Sequence, residues 1–375
     1  MFEFTKEQEM LRAMVREFAD KELAPKALEL DRKGEFPRDI VRKLAALGLL
    51  GISTGKDLGG AAMGHLASTI AIEELARVYP SVAFFLEVGT GPVYAISHFG
   101  TEEQKKKFIP PVLKGDKIMC IAATEPTGGS ELTNLGTEAV PMDDGYMING
   151  RKVYITGGGV ADQCILLAKT GERASFIMVE TGTPGFTIGR RQDQMGLRSV
   201  DVSELAFNDC RVPKGNLIGK EGAGFPIAMT TFTVARPAIG AIGLGIARGA
   251  FEIALKYAKE RVLYGKPIAR LQAIQFLLAD MDREIDAARW LVYSPGAALD
   301  KGAGPRDIVK ASSRAKAVGA DVGVSVTLKA MEVLGGNGVS PEYHLARLLN
   351  DAMELVPATG TQQIMKVIQA GEILK

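Results

Sequence analysis

Cysteine and histidine are scarce in this chain of 375 residues, with three of each. Cys120, Cys164 and Cys210 lie far apart, and so do His65, His98 and His344. None of these spacings matches a metal-ligand set, so no metal centre is expected, and the thiols read as reduced and buried, as in a cytoplasmic protein. An excess of one charge is missing too, since 45 Lys and Arg stand against 44 Asp and Glu. That balance gives no electrostatic reason to expect nucleic acid or an anionic membrane as partner. No uninterrupted apolar run reaches the roughly 18 residues of a membrane span. The N-terminus opens with charged residues and lacks an apolar signal core. Fixed-period repeats and low-complexity tracts are absent as well.

What is present is a large core-forming fraction: 46% hydrophobic residues against 24% charged. That supports two or three folded domains. Phe4, Leu11, Met14, Val15 and Phe18 recur at helical intervals, with Thr5 placed to cap the helix. Residues 40–50, 67–78 and 102–113 repeat the pattern, and Gly91-Pro92 and Pro110-Pro111 read as breaks. From about Ile118 the texture changes to short apolar or alternating runs divided by Gly, Asp and Pro. Asp144-Gly145 and Asn149-Gly150 are strong turn signals there. From Gly224 onward the helical period returns, with Gly and Ala beside the apolar face of the first long stretch. The expected organisation is α+β and multidomain: helical over 1–117, a small β-barrel or sandwich over 118–222, and a helical bundle over 223–375.

Two nucleotide motifs fail on inspection. Gly243-Leu244-Gly245 begins like a dinucleotide fingerprint, but Gly249 falls one place late and no strand precedes it. Gly55-Lys56 is followed by Asp57 where a P-loop has Ser or Thr. Two other segments carry more. In Thr124-Glu125-Pro126-Thr127-Gly128-Gly129-Ser130, small residues let the backbone approach a flat ligand closely. Tyr154-Ile155-Thr156 then runs into Gly157-Gly158-Gly159, placing an aromatic ring beside a hydroxyl at a strand end. A glycine-rich loop and a strand-end aromatic are the plain alternatives.

These segments, together with Met195-Gly196-Leu197-Arg198, Arg236-Pro237, Arg261-x-x-Tyr264-Gly265-Lys266-Pro267, Gln272-Ala273-Ile274 and Leu334-Gly335-Gly336-Asn337-Gly338, resemble the acyl-CoA dehydrogenase family from end to end. The resemblance implies an N-terminal helical domain, a middle antiparallel β domain and a C-terminal four-helix bundle. It also implies a non-covalent FAD at their junction, an acyl-CoA substrate, a homotetramer, and an electron-transfer flavoprotein as redox partner. Carried over by position, Ile121, Ala123, Thr124, Gly129, Ser130, Tyr154 and Thr156 would line the flavin ring and ribityl chain. From a neighbouring subunit, Arg261, Tyr264, Gln272, Glu332, Gly335 and Gly336 would hold the pyrophosphate and adenine end. The family often has Trp at Tyr154, Phe at Tyr264 and Gln at Glu332. Thr361 and Gln363 would complete the flavin contacts. Ser130 and Arg236 would meet the CoA portion, with an intrahelical ion pair as the plain reading of Arg236.

One departure bears on the chemistry. The family reaction removes an α-proton with a base while hydride leaves the β-carbon, and stabilises enolate-like charge on the thioester oxygen. The resemblance assigns the oxyanion role to a backbone N–H and a ribityl hydroxyl, which no side-chain change removes. The usual basic glutamate precedes Gly-Thr, but here the stretch is Ala358-Thr359-Gly360-Thr361. The alternative seat, before the conserved Arg, is Ala235. A neutral threonine is a poor base. Glu87, among Phe84, Phe85 and Leu86 on an expected helix over 81–89, becomes the candidate, since an apolar cleft raises a carboxylate's pKa. Pocket shaping or a buried ion pair is its plain reading. Glu354, just before Val356-Pro357, is a second candidate, and Pro357 is expected to hold Val356 extended. The leading expectation is α,β-desaturation of a short, branched or cyclic acyl-CoA with a relocated base. A CoA-thioester lyase or desulfinase without net oxidation, or a non-catalytic acyl-CoA-binding protein, are the alternatives.

Overall fold

The computed structural model describes residues 4–375, so Met1–Glu3 at the charged N-terminal opening lie outside it. Six helices come first: α1 (Lys6–Phe18), α2 (Ala27–Lys33), α3 (Arg38–Ala46), α4 (His65–Ala76), α5 (Pro80–Phe99) and α6 (Glu102–Leu113). Thr5 caps α1 by accepting from Gln8 N while the Gln8 side chain reaches back, closing a capping box. Neither proline-containing break materialises. α5 runs through Gly91-Pro92, and α6 contains Pro110 and Pro111. Gly91 and Pro92 are both buried, so packing of α5 on its neighbours outweighs the lost backbone bond.

The middle segment supplies β1 (Met119–Ala122), β2 (Glu138–Pro141), β3 (Gly145–Thr156), β4 (Gln163–Thr170), β5 (Arg173–Glu180), β6 (Phe186–Arg191), β7 (Val202–Pro213) and β8 (Leu217–Ile218). They form one sheet in the order β6-β7-β3-β2-β4-β5-β8, with β1 beside β4. Most pairings are antiparallel; β1 and β2 run parallel to β4. Asp144-Gly145 sits in the β2–β3 turn, where Met142 and Gly145 bond each other's backbone. Asn149-Gly150 does not turn the chain. β3 continues through it as a bulge, with Gly150 at φ 151°.

The C-terminal part holds α7 (Gly224–Glu260), a short hairpin of β9 (Val262–Leu263) and β10 (Lys266–Pro267), then α8 (Gln272–Asp300), α9 (Val309–Leu334), α10 (Leu345–Glu354) and α11 (Gln362–Ile373). α7 and α9 run side by side in the same direction. A Cβ added at Gly240 would meet Ala315 O at 2.4 Å, and one at Gly243 would meet Gly319 O at 1.9 Å. Only glycine allows backbones this close. α7 is apolar and long enough to cross a membrane, but 67% of its most apolar window is buried inside the protein. The largest core joins α1, α3, α4 and α5 to α7, α8, α9 and α10, while the sheet keeps a core of its own. Cys120, Cys164 and Cys210 are free and buried.

Candidate functional site

The Thr124–Ser130 loop is tied to the sheet by a buried ion pair the sequence did not advertise. Lys152 Nζ donates to Glu125 at 2.7 Å and to Ala123 O at 3.1 Å. Glu125 also accepts from the backbone of Gly136 and Thr137. Burial alone would push its pKa up, but Lys152 and these donors outweigh it and hold the carboxyl below its usual range. Next to this anchor β3 bulges: pairing with β7 breaks between Lys152 and Ile155. Val153 N donates to Thr124 O at 3.0 Å. The bulge therefore exchanges a sheet partner for the loop. It leaves Tyr154 at φ 56° and 66% exposed, beside Thr124. Gly129 folds back on that residue, since a Cβ there would lie 3.0 Å from Thr124 Cγ2. Ile121 and Ala123 lie on β1 and just after it.

Beyond Thr156 the glycine turn is held by Asp201. Its backbone oxygen accepts from Gly157 N and its carboxylate from Gly159 N, both at 2.6 Å. A Cβ on Gly159 would collide with that carboxylate. The Met195–Arg198 segment is pinned from α10: Asp351 accepts from Leu197 N at 2.6 Å, and Glu354 from Gly196 N at 3.4 Å. Glu354 is thus occupied at this turn.

The Ala358–Gln363 stretch links α10 to α11. Thr361 caps α11. Gln362 bonds Ala317 O and Asp321, and Lys316 Nζ bonds Val356 O at 2.9 Å. Burial pushes the Lys316 pKa down to about 8; Asp321 opposes and Arg236 reinforces that shift. Val356 is not extended as expected but lies in a turn, its N–H donating to Met353 O. Thr359 stands at φ 51°, strained for a β-branched residue.

Among the described residues Arg236 forms no ion pair, which removes the intrahelical-pair reading. It is 5% exposed and its Nε lacks a partner. With nothing offsetting desolvation, its pKa falls to about 10. Glu87 is the mirror case. It is 3% exposed, its carboxylate makes no hydrogen bond or ion pair among the described residues, and burial pushes its pKa up to about 8. The buried-ion-pair reading of Glu87 therefore also falls. One turn further along α5, Thr90, Gly91 and Tyr94 line a cleft shared with Thr231, Ala235 and Ala238 of α7. A Cβ at Gly91 would lie 3.6 Å from Ile121 Cδ1, so this wall adjoins β1.

Arg261, Tyr264, Gln272, Glu332, Gly335 and Gly336 are all exposed and gather at the opposite end of the bundle. There Asn337 Nδ2 bonds the Tyr257 hydroxyl at 2.9 Å, tying the ends of α7 and α9. From Thr231 to Arg261 is about 45 Å along α7 at the helical rise. One dinucleotide cannot touch both groups of the same chain, as expected if the second group serves a neighbour. The Thr124 loop, the uncovered Tyr154 ring and the Gly157 turn form a cradle suited to a flavin, and the exposed guanidinium of Arg261 suits its pyrophosphate.

Known proteins resemble the chain along its whole length. Family models match residues 5–116 (acyl-CoA dehydrogenase, N-terminal domain), 120–210 (middle domain) and 222–374 (C-terminal domain). A short-chain-specific acyl-CoA dehydrogenase of Clostridium acetobutylicum is 41% identical, covering 100% of both chains. An NADH-dependent acryloyl-CoA reductase of Anaerotignum propionicum is 39% identical over 100% of this chain and 96% of its own. A caffeyl-CoA reductase–Etf complex subunit, CarC, of Acetobacterium woodii is 36% identical over 99% of each. Among solved structures, butyryl-CoA dehydrogenase of Megasphaera elsdenii superposes with TM-score 0.96 at 36% identity over 100% of both chains. A glutaryl-CoA dehydrogenase of Mycobacterium smegmatis in complex with FADH2 gives 0.94 at 26% over 99% and 95%. The chain belongs to the acyl-CoA dehydrogenase family, an FAD-dependent oxidoreductase acting on CH–CH bonds.

Proposed function

We propose that this enzyme desaturates a short, branched or cyclic acyl-CoA between the α and β carbons, with Glu87 as the proton acceptor. One observation carries the assignment. Among the described residues Glu87 is a buried carboxylate with neither counter-charge nor hydrogen bond, and its pKa of about 8 is that of a base usable near neutrality. Thr359 and Ala235, at the family's two usual seats, offer no carboxylate. The α-proton passes to a Glu87 carboxylate oxygen, and the neutral acid that forms suits the apolar wall of α5. When bound, FAD supplies the two-electron acceptor for the hydride from the β-carbon. Ile121, Ala123, Thr124, Gly129, Ser130, Tyr154, Thr156, Thr361 and Gln363 hold its ring and ribityl half. Arg261, Tyr264, Gln272, Glu332, Gly335 and Gly336 hold the adenine half of a neighbour's cofactor within a homotetramer. Arg236, a buried cation with no ion-pair partner among the described residues, and Ser130 serve the CoA thioester. Electrons leave to an electron-transfer flavoprotein.

The test is Glu87→Gln, with anaerobic bleaching of the flavin followed across a panel of acyl-CoA thioesters. Bleaching should slow by about three orders of magnitude with the flavin still bound, the scale at which a general base contributes. Bleaching at the wild-type rate would sink the assignment.

A further inference from the structure

The cleft between α4, α5, α7 and α8 holds information about the far end of the acyl group, on the reading that the acyl-CoA of the proposed function extends into this cleft, one turn along α5 from Glu87. Its free volume is about 40 Å³, and it opens to solvent. Three of its lining residues are threonines with their donors already used. Thr69 donates to His65 O, Thr90 to Glu87 O and Thr231 to Ile227 O, at 2.9, 2.6 and 2.8 Å. Their hydroxyls have no donor left to offer a ligand.

His65 and Tyr94 differ, as do the small hydroxyls of Ser53 and Ser68, and of these four the two rings reach furthest. Both line the cleft, and neither the imidazole nor the phenol makes a hydrogen bond among the described residues. Both are fixed in place. The His65 backbone N–H donates to Asp300 at 2.6 Å. The two rings meet edge to face at 6.3 Å, and His98 stacks on Tyr94 at 3.9 Å. Burial holds the imidazole's pKa below its ordinary value, with Asp300 opposing, so it offers one N–H donor and one acceptor. No Lys or Arg lines the cleft. A carboxylate entering there would lose water without gaining a counter-charge.

We infer that the enzyme prefers an acyl-CoA whose distal end bears a neutral oxygen function, a hydroxyl or a ketone, held by His65 and Tyr94. A plain hydrocarbon end would leave both groups unpaired in a partly dry cleft, which costs affinity.

The experiment titrates holoenzyme anaerobically, following the flavin spectrum. The probes are butyryl-, pentanoyl- and hexanoyl-CoA with their terminal hydroxyl and terminal carboxylate counterparts. At one chain length at least, the hydroxyl form should bind about fivefold or more tightly than the plain form, and the carboxylate form more weakly than either. His65→Phe combined with Tyr94→Phe keeps both rings and should erase that preference while plain acyl-CoA still binds. Equal or weaker binding of the hydroxyl form at every length, or a preference that survives both substitutions, would overturn the inference alone. No spectral response to any thioester would remove the acyl-chamber reading together with it. Should the double variant fail to fold, the wild-type comparison decides.

Discussion

An isolated buried carboxylate leaves a mark on stability that needs no substrate to read. Glu87 ionises near its ordinary value of 4.5 when unfolded and at about 8 when folded. Between those values the unfolded chain sheds a proton that the folded chain keeps, so rising pH drains stability. The penalty is absent below pH 4.5, grows through the interval and is complete above pH 8. Glu87→Gln removes it. The melting temperature of that variant should match wild type at pH 4.5 and exceed it at pH 8.5, where the gap in unfolding free energy is on the order of a few kcal/mol. Thermal scans across that range check it. The rate of flavin bleaching by wild type should climb with pH, pass half its maximum near pH 8 and level off above that. Lys152 tells the opposite story, because it and Glu125 are both buried and paired. Lys152→Met strands a charge under the Thr124 loop. It should cost roughly 3–5 kcal/mol and release the flavin, measured by denaturant titration and by absorbance of the purified protein.

At the scale of elements, the helix–strand–helix order and the long C-terminal helices were legible from periodicity, because each long helix buries a continuous apolar stripe. Local punctuation misled where tertiary contact overrode it. Gly91-Pro92 reads as a stop, yet both residues are buried inside α5. Asn149-Gly150 reads as a hairpin, yet β7 pairs on both sides of it. Within the site, motif residues pointed to the loop and the Gly157 turn. What holds these in place, Lys152 and Asp201, was hidden, since a long-range partner leaves no local pattern. Glu87 was visible as a carboxylate among apolar neighbours, but its lack of a partner among the described residues was not. The α7–α9 seam gives a sharp test. Gly243→Ala places a methyl 1.9 Å from Gly319 O and should destabilise by on the order of 3 kcal/mol. Gly371→Ala in α11 meets nothing within 4 Å and should be neutral or stabilising by up to about 1 kcal/mol. Urea unfolding of the two variants compares them directly.

For the whole molecule, the proposed flavin-binding groups lie too far apart along α7 for one chain to supply both, so on that proposal each site draws on two chains. A variant defective in the Thr124 loop, such as Gly129→Val, and one lacking Arg261 should each bind flavin poorly. Co-produced and allowed to mix, they should regain about a quarter of the wild-type flavin, because one of the two sites in each mixed pair is assembled from sound halves. Recovery of no flavin would show that each chain binds alone. The glycine seam carries a further consequence, for breathing. Where α7 and α9 meet main chain to main chain, there are no side chains to hop between rotamers and no slack to take up. Any widening that admits a bulky thioester must come from the α4–α5 wall. Amide deuterium uptake should therefore be slow and ligand-insensitive around 236–247, and should drop on ligand binding across 84–98.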